Sequence, residues 1–105
     1  MFFGFLEYLP MIIKEPVSTV VYLYGTAYIE VAVSYGEKYQ WYFNGYCMKN
    51  RLHIYSGVHT NVLQLLRVEA CDLGTYTCTI SNDDGKVVSA EAEVELGTCE
   101  LILLA

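Results

Sequence analysis

Four cysteines and two histidines are the residues whose chemistry could carry this chain furthest: Cys47, Cys71, Cys78, Cys99, His53 and His59. Their spacing argues against most of it. A structural zinc site wants paired cysteines two to four residues apart, and none are so placed. His53 is expected on a strand and His59 in the following loop, which does not converge three or four ligands. Cys71 falls in a turn with nothing nearby in sequence basic enough to lower its pKa, so it is not expected to be a catalytic thiol. No glycine-rich phosphate loop and no nucleophile elbow is present. Asp83 and Asp84 lack the spaced acidic ligands and closing glutamate of a calcium loop, and read as a solvated hairpin tip. The expectation is a protein that is not an enzyme and has no metal or cofactor.

An even cysteine count permits two bridges in three connectivities. Cys71 and Cys78 flank a corner and are too far apart along an extended strand. Cys47 and Cys99 lie near strand ends, where a chance pairing is conceivable. The expectation is four free thiols.

The elements that position these residues read as β-structure. The 105 residues suit one domain, and 54% are hydrophobic, enough for a core. Ten tyrosines add to the β tendency. Turn signals recur at Gly25, Gly36, Asn44-Gly45, Ser56-Gly57, Asp72–Gly74 and Asp83–Gly85. Between them run segments of Val, Ile, Tyr and Thr that alternate with period two, as a half-buried strand requires. In 75–80 one face is Tyr76, Cys78, Ile80 and the other all Thr. In 90–96 one face is apolar and the other is Glu91, Glu93, Glu95. Strands are expected at 12–15, 18–24, 27–34, 38–43, 46–48, 51–55, 61–67, 74–82 and 86–96. Residues 1–11 and 97–105 read as extensions of a domain spanning 12–96.

The formal net charge of −6 opposes nucleic-acid binding, which needs a basic stripe for phosphates, and adhesion to an anionic membrane. No apolar run reaches the roughly 18 residues that span a bilayer, so no membrane insertion is expected. The start MFFGFLEYLPMII lacks a basic leader and a cleavage site, and is not expected to be a signal peptide. There is no Asn-x-Ser/Thr sequon.

Trp41, followed by Leu63-x-Leu65-x-x-Val68-x-x-x-Asp72-x-Gly74-x-Tyr76-x-Cys78, resembles an immunoglobulin-like domain, and I-set modules within it. The resemblance covers 12–96. It implies an all-β, Greek-key β-sandwich of two antiparallel sheets. Trp41 would fill the space between them, burying roughly 150–250 Å² for about 4–6 kcal/mol at most. Tyr76 would make the tyrosine corner, and Gly74 would permit the tight turn before it. Asp72 would accept backbone hydrogen bonds in that turn and pair with an arginine, for which Arg51 is the candidate.

The family's other bridging cysteine belongs on the second strand, B, where this chain reads AYIEVAVS from Ala27. Alternation places that slot at Val31, with Val33 as the alternative. The inter-sheet bridge is therefore expected to be missing, a loss that typically costs about 2–5 kcal/mol. A bridge-free domain suits a reducing compartment, which favours an intracellular location over an extracellular one. In this respect the chain resembles cytoplasmic muscle-type modules and the Ig domains of paracaspases, and with its Tyr39–Gly45 stretch it also resembles many bacterial Ig-like modules.

The resemblance makes strands C, F and G neighbours. Their outward residues would be Gln40 and Tyr42, then Thr75, Thr77 and Thr79, then Glu91, Glu93 and Glu95. This expected acidic face suits a basic protein partner, with Tyr42 as anchor. Strand 86–96 could also be an edge open to strand addition. Two functions follow. One is a recognition module in adhesion or signalling, part of a larger multidomain protein. The other is a structural spacer in a repeat array.

Overall fold

A computed structural model describes residues 8–97, and the expected extensions lie largely outside them. The strands are β1 (Met11–Lys14), β2 (Thr19–Val21), β3 (Ala27–Glu30), β4 (Ala32–Ser34), β5 (Lys38–Phe43), β6 (Tyr46–Cys47), β7 (Tyr55–Ser56), β8 (Val62–Leu65), β9 (Gly74–Asn82), β10 (Gly85–Val88) and β11 (Ala92–Leu96). One layer joins β1–β4 to β3–β8–β7 through Val31, which interrupts β3 and β4. The other runs β2–β11–β9–β5–β6, with β10 also paired to β9. The two layers form the expected β-sandwich. Pairing is antiparallel throughout except for β2 against β11, which is parallel.

The hairpin between β5 and β6 forms because Asn44 and Gly45 both hold positive φ, 48° and 86°. That pair gives a two-residue turn whose twist matches the flanking strands. At the β9–β10 hairpin, the Asn82 side-chain oxygen accepts from the amides of Asp84 (2.8 Å) and Gly85 (3.1 Å). The tip is thus an Asx-stabilised turn.

The core fills the space between the layers. Trp41, Val31, Leu63, Tyr76, Cys78 and Ile80 are fully buried in one cluster. Leu65 is 1% exposed and joins them. The Trp41 indole N–H donates to the Thr60 carbonyl at 2.8 Å, so burial leaves its polar edge satisfied. Val31 is fully buried while Val33 is only half-buried. Cys47, Cys71 and Cys78 are free thiols, and Cys99 lies outside the described residues.

The expected strand 18–24 is shortened to β2, 27–34 is broken into β3 and β4, and two further expected strands differ more. Residues 51–55 form a turn in which Arg51 bridges to Tyr55, so His53 sits on no strand and has φ 66°. A single run at 86–96 is replaced by β10 and β11. Val87 packs on the core and Ser89 is buried, then Ala92 and Val94 are buried, so the inward side shifts register between 89 and 92. The cause is the Ser89 hydroxyl, which accepts from the Cys78 amide at 2.9 Å. That bond holds Ser89 inward, and the pairing with β9 slips by one residue between Val88 and Ala92, leaving Ala90 exposed. A one-residue change of register moves side chains to the other face. Nor is β11 an edge, because β2 and β9 flank it.

With Val31 and Cys78 in one core, Val31→Cys is expected to close an inter-sheet bridge. The oxidised variant should lose two alkylation sites and gain about 2–4 kcal/mol in urea unfolding. Two persisting thiols would show that Val31 does not face Cys78.

Candidate functional site

Directly paired residues on neighbouring strands share a face of the sheet. The pairs Gln40–Thr79 and Tyr42–Thr77 join β5 to β9, and Glu93–Thr75 joins β11 to β9. Six of the eight expected face residues are therefore brought onto one sheet surface, and Glu95, two residues beyond Glu93 on β11, shares it. Glu91 is the exception. It precedes β11 and stands exposed at the register break.

The chemistry of this face differs from expectation in three respects. Lys38 pairs with Ser81, and Ser81 pairs with Lys86, so the far end of the face is basic rather than acidic. The Gln40 amide donates to the carbonyls of Trp41 (2.7 Å) and Met48 (2.8 Å), which ties β5 to the chain after β6. Gln40 is thus occupied in holding the edge of the sheet. Tyr42 is half-buried rather than fully exposed.

Beneath the sheet lies a polar corner. A single turn of 3-10 helix at Ala70–Asp72 places Asp72 at 2% exposure. The Tyr76 hydroxyl donates to the Asp72 carbonyl at 2.5 Å, which is the tyrosine corner expected from the sequence. The Glu69 amide donates to Asp72 Oδ2 at 2.9 Å, as the turn reading required. Arg51 does not provide the other partner. The Tyr55 hydroxyl donates to Asp72 Oδ1, and the Arg51 guanidinium lies 6.0 Å from the Tyr55 ring centre. A neutral hydroxyl can satisfy a carboxylate across the layers without burying a second charge. Sequence reasoning missed Tyr55 because it follows no local spacing from Asp72. Gly74 follows the corner at φ 155°, and a Cβ there would stand 2.8 Å from Phe43 Cε1 and 2.7 Å from Asn44 Oδ1. That oxygen accepts from the Thr75 amide at 2.9 Å.

Burial pushes the Tyr55 hydroxyl upward, helped by its bond to Asp72 and that group's charge. The Tyr76 hydroxyl is raised first by burial, then by Tyr55 and Asp72. Burial pushes the Cys78 thiol up to about 12. A thiol so held is inert and serves as core packing.

Among the described residues, no three His, Cys, Asp or Glu side chains gather to hold a metal. His59 Nδ1 lies 3.4 Å from the Tyr39 carbonyl. No helix among the described residues is long and apolar enough to cross a membrane.

No protein-family model matches the chain, and no curated protein matches it. Solved structures do. A titin structure superimposes with a TM-score of 0.72 at 23% identity, covering 85% of this chain and 96% of that one. A titin I-band fragment gives 0.71 at 26% identity, covering 84% of this chain and 32% of that one. The N-terminal Ig1-2 module of the Drosophila receptor tyrosine phosphatase DLAR gives 0.74 at 20% identity, covering 85% and 46%. By fold, the chain is an immunoglobulin-like domain. It spans nearly all of the first structure and less than half of the other two.

Tyr55→Phe is expected to lower stability by about 1–3 kcal/mol in urea unfolding, because Asp72 Oδ1 loses a buried donor. An unchanged midpoint would show that Tyr55 does not hold Asp72. Raising pH should also destabilise the domain. The Cys78 thiol is held above its ordinary 9.0 in the fold, so its contribution is complete below about pH 9 and is lost as pH rises toward 12. Urea midpoints should fall across that window, and less steeply between pH 9 and 10 in Cys78→Val. Identical slopes would contradict the burial of the thiol.

Proposed function

We propose that this chain is a non-catalytic recognition module of I-set type that docks a protein partner on the outer face of β5, β9 and β11. The arrangement of Tyr42 beside Thr77, continuing to Thr75 and Glu93, carries this reading. Tyr42 offers a rigid aromatic surface at low entropic cost, and interface cores favour tyrosine. The threonines keep the centre of the face shallow. Glu93 and Glu95 at one end, with Lys38 and Lys86 at the other, give the surface polarity. A partner with basic and acidic ends in the reverse order is oriented by that field. Attraction between exposed charges weakens with salt.

A spacer role is the second reading. Val20, Tyr22 and Leu96 are 64%, 62% and 46% exposed, and Val20 and Tyr22 carry atoms close to Gly97. An apolar surface there suits contact with an adjacent domain. The titin and DLAR fragments named above supply multi-domain precedents for the fold.

Tyr42→Ala and Glu93→Lys separate the two readings. Cross-linking in cells should recover a partner with the parent, and both variants should lose it while keeping the parent's melting temperature. Retention of every partner by both variants would remove this face from consideration and leave the spacer reading.

A further inference from the structure

The β6–β7 flank of the molecule, next to the β5 end of that face, has a different chemistry. Residues 38–68 contain no Asp or Glu, although the chain has 12 acidic residues. The same stretch holds Lys38, Lys49, Arg51 and Arg67, four of the chain's 6 cations, and both histidines. Charge is therefore segregated along the chain.

Two hollows open in this flank, where β6 and β7 form the edges of the two layers. One has a volume of about 310 Å³ and is lined by Phe43, Tyr46, Met48, Lys49, Arg51 and Tyr55, among others. The other, about 340 Å³, shares Arg51 and Tyr55 and adds His53 and Leu66. Met48 is buried in the first hollow, whereas Tyr46 is 78% exposed. The Arg51–Tyr55 pair stands between the hollows, and the Tyr55 hydroxyl is anchored on Asp72. Its ring is a fixed wall. The floor is apolar and aromatic, and Lys49 and Arg51 supply positive charge.

We infer that the first hollow receives an aromatic side chain from an acidic protein segment, whose flanking carboxylates meet Lys49 and Arg51. The volume stands at the lower end for ligand sites, enough for one large side chain. Arginine presents a fork that matches a carboxylate. The segment is extended, because among the described residues β6 pairs only with β5, leaving a free strand edge beside the hollow. This site asks for the opposite charge to the Glu93 end of the sheet face, so it stands whether or not that face binds a partner.

The probe is the blocked peptide Glu-Glu-Phe-Glu-Glu, titrated into isotope-labelled domain and followed by amide shifts. Saturable shifts are expected at Tyr46 to Arg51 and at Tyr55. Replacing the peptide's Phe by Ala, or its Glu residues by Lys, should weaken binding at least roughly tenfold. Arg51→Glu and Tyr46→Ala should each do the same. Tyr46 is so exposed that its removal leaves the core intact. Absence of shifts at millimolar peptide, or shifts centred elsewhere, would overturn the assignment. So would phenylacetate binding as tightly as the peptide, which would make the site one for small aromatic acids. Sedimentation of the domain alone should show a monomer. Self-association abolished by Arg51→Glu would make the occupant a second copy and overturn the proposal.

Discussion

The constraint on which this structure depends is apolar contact across two β-layers that no covalent bond joins at their centre. Cys78 sits in the core as a thiol, and Val31 is buried in the same cluster. Trp41, Tyr76 and Ile80 complete a buried cluster around them. A small apolar side chain beside a buried thiol needs no further partner, since the thiol itself behaves as a small hydrophobe. The missing bridge leaves the unfolded chain unconstrained. Packing and hydrogen bonds must supply what the bridge would have contributed.

The polar corner shows how part of that is done. Asp72 gathers Tyr55 from one layer and Tyr76 from the other, through carboxylate and carbonyl respectively. A local turn is thereby fixed to both sheets. Trp41 adds a second tie, through its indole N–H to the loop before β8. No buried side-chain nitrogen or oxygen among the described residues lacks a partner. A buried polar network of this kind stabilises only when every member is satisfied. The same corner steadies Tyr55, the wall between the two basic hollows, so core architecture and surface chemistry meet at one residue.

Much of this was legible in the sequence because burial follows a short period. Strands β5 and β9 match 38–43 and 74–82, and the alternation in β9 names Tyr76, Cys78 and Ile80 as inward. The break between β10 and β11 was not legible. Val87, Val88, Ala90 and Ala92 put apolar residues on both parities, so period two cannot reveal where the register shifts. Only the long-range bond from the Cys78 amide to Ser89 decides it. Tyr55 was hidden for a related reason, since its partnership with Asp72 spans 17 residues. The face formed by Tyr42, Thr77 and Glu93 followed from strand neighbours. The engagement of Gln40 and the basic end at Lys38 and Lys86 required the pairing register. A parallel β2 beside β11 likewise has no local signature.

The most direct test of a sandwich held without an inter-sheet bridge is the redox state of Cys78 in the protein as purified. The domain is kept free of reductant, denatured, alkylated and cleaved after aromatic residues, which separates Cys78 from Cys71 at Tyr76, and the peptide containing Cys78 is weighed. The account predicts that this peptide carries one alkyl group in full. Recovery of Cys78 in a disulfide-linked peptide would contradict it, because the core would then be stapled by a bridge that the fold described here does not contain.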